Sequence, residues 1–335
     1  MYLEHFELKD FPFRLTPDTD YLYMSPSHSR AISYMEYAVF NQEGFVVITG
    51  EIGSGKTTLI QKLLSEMDES INVAKVFQTQ LDEVEFLQSV LVEFGMNPFS
   101  AKKVELLNML NQFLVDSYMN QKRVVLIVDD AQNLSNRVLE EICMLSGVET
   151  QKEKILHVIL VGQPELNKNI EAPEMQQLLQ RVSLRYHMRA LTESEQVKYV
   201  DHRLGVAGNS KKIFNDDIYA YVYKYTGGIP RLINTLCDTA LTCAYADGDS
   251  FVGLDTVKTA VDELQWSEFE EYKKNIEEQQ AINIEAEVRE AGEQQYTYSN
   301  KPLNKIDLNA SRINSTALVE IARQLKRIAD LLEKK

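Results

Sequence analysis

Two hydrophobic rhythms share this chain. Short continuous apolar runs occur at Phe45-Val46-Val47-Ile48 and over residues 72–77, 123–128, 155–161 and 184–188. Runs of this length, rich in β-branched residues, predict strands buried on both faces. Between them apolar residues return every three or four positions, which predicts helices. These are expected over about 28–41, 56–66, 83–94, 101–120, 133–146 and 175–182, the first capped by Ser27 and burying Ile32, Met35, Tyr37 and Phe40. Strands that alternate with helices predict a parallel sheet covered on both faces, here over residues 28–190. From Thr192 the strand runs stop. Thr192-Glu193-Ser194-Glu195 opens a helix with acidic first-turn residues, and helices are expected at about 193–205, 215–226, 230–246 and 254–264. Residues 191–266 therefore read as a small all-helical domain.

The two ends follow neither rhythm. Residues 1–27 are rich in aromatics and turn formers, with Phe11-Pro12-Phe13, Thr16-Pro17-Asp18 and Tyr21-Leu22-Tyr23. They read as a strap packed over a core. After Trp266 the chain turns polar and rich in Glu and Gln, so 267–314 is expected to hold an exposed helix and then a flexible linker. Residues 315–335 carry Leu318, Ile321, Leu325, Ile328 and Leu332 in a heptad seam, with Ser315 or Thr316 as cap. Two heptads are marginal alone. The seam suits a short coiled coil, a helix docked in a partner's groove, or one folded back on its own body.

Composition narrows the classes. With 335 residues the chain is long enough for two domains. A formal net charge of −15 argues against extended sequence-independent contact with nucleic acid. Three cysteines, Cys143, Cys237 and Cys243, suggest a reducing compartment. No apolar segment approaches the roughly 18–20 residues that would span a bilayer, and the start has no basic-then-apolar leader pattern. The expected location is cytoplasmic.

The chemistry begins where the first strand ends. Gly50-Glu51-Ile52-Gly53-Ser54-Gly55-Lys56-Thr57 fits G-x-x-x-x-G-K-[ST], in the strand–loop–helix context that gives the pattern meaning, and Thr58 follows. The glycines let the backbone approach a phosphate closely, and successive N–H groups share one concavity at a helix N-terminus. Lys56 offers charge to β- and γ-phosphates and Thr57 a hydroxyl to Mg²⁺. The run over 123–128 ends in Asp129-Asp130. Asp129 would hold Mg²⁺ through water and Thr57, and Asp130 would orient the attacking water. Gln163, at the tip of the next strand, is placed to meet the γ-phosphate or that water. Arg231 follows Gly227-Gly228-Ile229-Pro230 in a first helical turn, where a cation is dipole-disfavoured and better explained by an anion it reaches. Beside such a loop the N-terminal strap has a second reading, as a lid over an adenine ring.

Together these motifs resemble an AAA+ ATPase and, among these, the ExeA/GspA-like (general secretion pathway protein A) group, with its MshM-type pilus-biogenesis and PEP-CTERM/exosortase-locus members. The residues carrying the likeness are Phe11-Pro12-Phe13, Leu15-Thr16-Pro17-Asp18, the stretch from Gly44 to Glu51, Asp130-Ala131-Gln132-Asn133-Leu134, Val161-Gly162-Gln163-Pro164-Glu165-Leu166 and Gly228-Ile229-Pro230-Arg231-Leu232-Ile233-Asn234. The likeness spans roughly 1–266. It implies a P-loop NTPase core with a helical lid, to which the heptad seam over 315–335 adds a C-terminal helical tail. It further implies ATP or ADP with Mg²⁺, Lys56 and Thr57 in Walker A, Asp129 in Walker B, Gln163 at sensor 1 and Arg231 at sensor 2. It assigns Arg181, with Arg185 in reserve, as the arginine that reaches a neighbouring subunit, hence a homo-oligomer.

Two departures stand out. Asp130 occupies a place usually held by Glu, which bears on turnover, and the transmembrane and peptidoglycan-binding regions of some members are not seen. The expected function is a Mg²⁺-dependent ATPase serving an envelope secretion, pilus or exopolysaccharide export system. The alternatives are a nucleic-acid-linked ATPase of the transposition-regulator kind and a nucleotide-gated scaffold with little hydrolysis.

Overall fold

The computed structural model describes residues 2–41, 44–99, 102–149, 154–209, 211–275 and 278. Residues Met1–Tyr272 form one compact unit. In chain order its elements are α1 (Tyr2–His5), α2 (Pro26–Phe40), β1 (Phe45–Gly50), α3 (Lys56–Glu66), β2 (Ile71–Val76), α4 (Glu83–Glu93), α5 (Lys103–Met119), β3 (Arg123–Val128), α6 (Asn136–Leu145), β4 (Leu156–Gly162), α7 (Glu165–Glu171), α8 (Gln176–Arg181), β5 (Leu184–Met188), α9 (Glu193–Val206), α10 (Tyr219–Thr226), α11 (Pro230–Asp247) and α12 (Leu254–Leu264). The five strands lie parallel in the order β2-β3-β4-β1-β5. The chain leaves β1 near one edge and re-enters the sheet at the other, so the ends of β1, β3 and β4 open a crevice where the order reverses.

Side-chain alternation sorts the core into two layers. Phe45 and Val47 of β1, Val124, Leu126 and Val128 of β3, and Val158 and Leu160 of β4 face α4, α5, α6 and α7. Val46, Ile48, Val125, Ile127, Ile159 and Val161 face α2 and α3. Both faces are therefore dry, which is why these strands read as unbroken apolar runs. A third cluster joins α9–α12 to Tyr2, Phe6, Leu8, Phe13 and Tyr21 of the N-terminal segment. The strap thus packs mainly on the helical part, with Leu22 reaching the sheet layer that faces α2 and α3.

Several expected boundaries move for local reasons. Ser25, not Ser27, caps α2: it is extended and its Oγ accepts from the His28 amide, with Pro26 in the first turn. Ser27 instead pairs its hydroxyl with Tyr186 at 3.1 Å and accepts from the Arg189 amide at 3.0 Å. The helix expected over 133–146 divides into a 3₁₀ turn, Ala131–Asn133, and α6, because Ser135 starts a new cap on the Val138 amide. That expected over 175–182 is likewise a 3₁₀ turn, Pro173–Met175, followed by α8. Two short helices, α1 and α7, have no counterpart in the pattern, being too short to show a period. The linker and the heptad seam over 315–335 lie outside the described residues.

Candidate active site

Each strand end delivers one part of the site. After β1 the glycine loop takes left-handed backbone at Gly53 (φ 78°) and Gly55 (φ 95°), the latter as N-cap of α3. Lys56 Nζ donates to the carbonyls of Gly50 at 2.7 Å and Glu51 at 2.9 Å. Burial pushes the Lys56 ammonium down from its usual value, against the pull of Asp129, Asp130, Glu51 and Glu165. Thr57 Oγ1 donates to Asp129 Oδ2 at 2.8 Å, which joins the loop to the end of β3. The other carboxylate oxygen of Asp129 accepts from the Asp130 amide at 3.0 Å. Asp129 is 3% exposed, and that desolvation raises its pKa, opposed by the Thr57 and Asp130 donors. Hydroxyl and carboxylate form a hard-oxygen pair suited to Mg²⁺, which keeps waters and takes few protein ligands. The Ser54 hydroxyl is buried in the loop with no hydrogen-bond partner among the described residues.

Asp130 turns away from its neighbour. It is left-handed (φ 51°), and its Oδ1 accepts from Gln132 Nε2 at 3.2 Å. Gln132 Oε1 in turn accepts from the Gln163 amide at 2.9 Å, so the acidic end of β3 and the tip of β4 are tied through one glutamine. Asp130 and Gln163 both line a cavity of about 520 Å³ that also holds Ile52, Gly53, Gly55, Lys56, Thr57 and Thr58. Arg231 lines it from the helical side. The Arg231 amide donates to the Gly53 carbonyl at 3.2 Å, and a Cβ at Gly53 would lie 2.4 Å from Arg231 Cβ. The first turn of α11 therefore rests directly on the glycine loop.

The two sheet-side arginines are elsewhere. Arg181 donates to the Cys143 carbonyl at 2.5 Å and to Ser146 Oγ at 3.2 Å, at the C-terminal end of α6 where a cation is favoured. Arg185 reaches Asn167 Oδ1 at 3.0 Å and Glu171 at 2.5 Å. Neither is among the residues that line the cavity.

Some lining residues, Arg14, His28, Tyr199, Arg203 and Asn234 among them, had no role assigned from the sequence. His28 lies between the strap and the loop. Its Nε2 is 3.0 Å from the Ser54 carbonyl, which accepts only, so Nε2 carries the proton. Its Nδ1 is 2.7 Å from Ser25 Oγ, which completes a neutral ring. Burial lowers its pKa, opposed by the Ser54 carbonyl and Glu195. Tyr199, Arg203 and Asn234 close the far wall. The available signal was an arginine and an asparagine on the buried stripes of helices, where such residues are rarely found without a partner.

An AAA domain is matched over residues 40–170. General secretion pathway protein A of Aeromonas hydrophila is 37% identical over 249 residues, 74% of this chain and 46% of the relative. The chain carries an AAA domain and is related to General secretion pathway protein A. It spans about half the length of that curated relative. Among solved structures, the Aeropyrum pernix ORC2 protein in its ADPNP–ADP complexes is similar at a TM-score of 0.54 and 16% identity, over 74% of this chain and 72% of that one. Cdc6p from Pyrobaculum aerophilum is similar at 0.56 and 16%, over 78% and 70%. At that identity the likeness concerns the fold, a parallel-sheet P-loop NTPase of the AAA+ type. Among the described residues no helix is long and apolar enough to cross a membrane.

Proposed function

We propose that the chain binds ATP with Mg²⁺ and hydrolyses it slowly, as a homo-oligomer, in the cytoplasm and in the service of an envelope secretion, pilus or exopolysaccharide export system. The observation that carries the nucleotide reading is the Thr57–Asp129 hydrogen bond at 2.8 Å, beside a cavity lined by Lys56 and Arg231. The export role rests on the relation to General secretion pathway protein A.

In this reading the loop amides and the positive end of α3 hold the phosphates. Lys56 exchanges its two carbonyl partners for β- and γ-phosphate oxygens. Thr57 and Asp129 would hold Mg²⁺, which would supply positive charge where the transition state becomes more negative. Asp130 orients a water in line with the γ-phosphorus. As the water oxygen bonds to phosphorus, the bond to the β–γ bridging oxygen breaks and ADP leaves with that electron pair. Asp130 or a phosphate oxygen receives the water's proton. Gln163 meets the γ-phosphate or the water, and Arg231 brings charge from the helical side. Arg181 completes the site of a neighbouring subunit, which requires it to leave its own α6 carbonyl.

A second reading, an ATP-gated scaffold with little turnover, is favoured by Asp130, whose short carboxylate is engaged by Gln132. Calorimetric titration with ATP separates both readings from none. Lys56→Ala should melt like the parent and lose ATP affinity; unchanged affinity in a folded Lys56→Ala protein overturns the nucleotide site. Turnover that stays unmeasurable while ATP binds tightly favours the scaffold.

A further inference from the structure

Arg203 is a buried cation, 7% exposed, on the cavity-facing side of α9. A desolvated guanidinium ordinarily has a carboxylate beside it. Among the described residues none pairs with Arg203. Its partners are neutral, and most belong to the strap. Nε donates to the Pro12 carbonyl and a terminal nitrogen to the Arg14 carbonyl at 3.3 Å. Its guanidinium lies 5.0 Å from the Tyr21 ring centroid and 5.7 Å from that of Tyr199. The other terminal nitrogen donates to Tyr199 Oη at 3.1 Å, and Tyr199 donates to Asn234 Oδ1 at 2.7 Å. Asn234 lies three residues after Arg231 on α11, and its Nδ2 reaches back to the Arg14 carbonyl at 3.4 Å.

One continuous set of contacts therefore runs from the strap through Arg203, Tyr199 and Asn234 to the helix that carries Arg231. The rest of the strap attaches on the same side. The Lys9 amide donates to the Ala207 carbonyl at 2.8 Å, Tyr2 hydrogen-bonds Asp238, and Phe13 meets the edge of Phe214 at 6.0 Å. Immediately past Arg203's attachment points, strap residues Leu15 to Asp18 and Tyr21 to Tyr23 line the same cavity as the glycine loop.

We propose that Arg203 is the positioning residue that makes the strap a part of the helical domain, so that the nucleoside end of the cavity and Arg231 are presented to the ligand as one body. This rests on the nucleotide reading above and deepens it. The phosphates are held by α3 and its loop, whereas base and ribose are held by a surface that Arg203 sets in place by fastening residues 12–14. Binding of the nucleoside is thereby coupled to the position of the helical domain.

The discriminating ligand is inorganic tripolyphosphate, which offers the phosphates without base or ribose. In calorimetric titrations with Mg²⁺, Arg203→Leu should weaken ATP at least about tenfold, or about 1.4 kcal/mol, and leave tripolyphosphate affinity unchanged. Arg203→Lys keeps the charge and stem but cannot span both carbonyls; it should show the same one-sided loss in a protein that melts close to the parent, and it decides the matter if Arg203→Leu does not fold. Trypsin should cut at Lys9 and Arg14 faster in either variant, and ATP should no longer slow that cut. Equal losses for the two ligands would make Arg203 a stabilising residue only and overturn the proposal, as would no loss for either. A parent that binds neither ligand would instead overturn the nucleotide reading itself.

Discussion

Gly53→Ala tests whether the contact between the glycine loop and the first turn of α11 is used in turnover. Gly53 has φ 78°, and a Cβ there would lie 2.4 Å from Arg231 Cβ and 3.1 Å from Arg231 Cδ. Carbon atoms in ordinary contact are about 3.5–4.0 Å apart, so the first turn of α11 or the loop must retreat by about 1 Å. The left-handed backbone adds roughly 1–2 kcal/mol of its own. Gly248 separates these two costs. It has φ 77°, at the C-terminal cap of α11, and nothing lies within 4 Å of its added Cβ. Gly248→Ala should lower the melting temperature by about 2–4 °C per kcal/mol lost and leave turnover as in the parent. Gly53→Ala should melt lower by a similar amount or more. It should also lose about a hundredfold in kcat, the size expected for a 1 Å displacement of a positioned group. The assay is steady-state phosphate release at saturating ATP, with melting curves for all three proteins. If Gly53→Ala turns over ATP like Gly248→Ala, the close approach of Arg231 to the loop contributes nothing to hydrolysis.

Three further outcomes follow from the site. Asp130→Ala should bind ATP normally and hydrolyse it more slowly, while Asp130→Glu should equal or exceed the parent; phosphate release as fast in Asp130→Ala would pass the water-orienting role to Gln163. Arg181→Ala should lose about 1 kcal/mol of stability as its α6 contacts go, keep ATP binding and lose turnover. Mixing it with Lys56→Ala should restore activity, and a folded Arg181→Ala with normal turnover per molecule would leave this arginine a helix cap alone. His28 sets an acid-side dependence, because its folded pKa lies below the unfolded value of 6.5. Above that value both states are neutral and stability is unaffected. As pH falls from 6.5 the unfolded chain takes the proton first, so the native state loses stability until the lowered folded pKa is reached. His28→Gln should flatten the melting-temperature profile between pH 7.5 and 5.5, and parallel profiles would show that this ring does not titrate as argued.

The parallel sheet, its covering helices and the change to an all-helical part were legible in one dimension because each is a periodic pattern written in solvent affinity. A strand dry on both faces must be apolar throughout, and Val124 to Val128 shows it; α9 declares itself through the Thr192–Glu195 capping box. The glycine loop was legible for another reason, since Gly53, Gly55, Lys56 and Thr57 are contiguous and their spacing is itself the geometry. Position in three dimensions decided the rest. Thr57 and Asp129 are far apart in sequence, and only strand order brings their oxygens to 2.8 Å. The resemblance assigns Arg181 to a neighbouring subunit's site; within this chain it donates to the Cys143 carbonyl and Ser146 at the end of α6, contacts that no spacing encodes. Arg203 was invisible for the same reason. A single arginine on a helix carries no period, and its meaning comes from carbonyls at Pro12 and Arg14, nearly two hundred residues away, that packing alone places within reach.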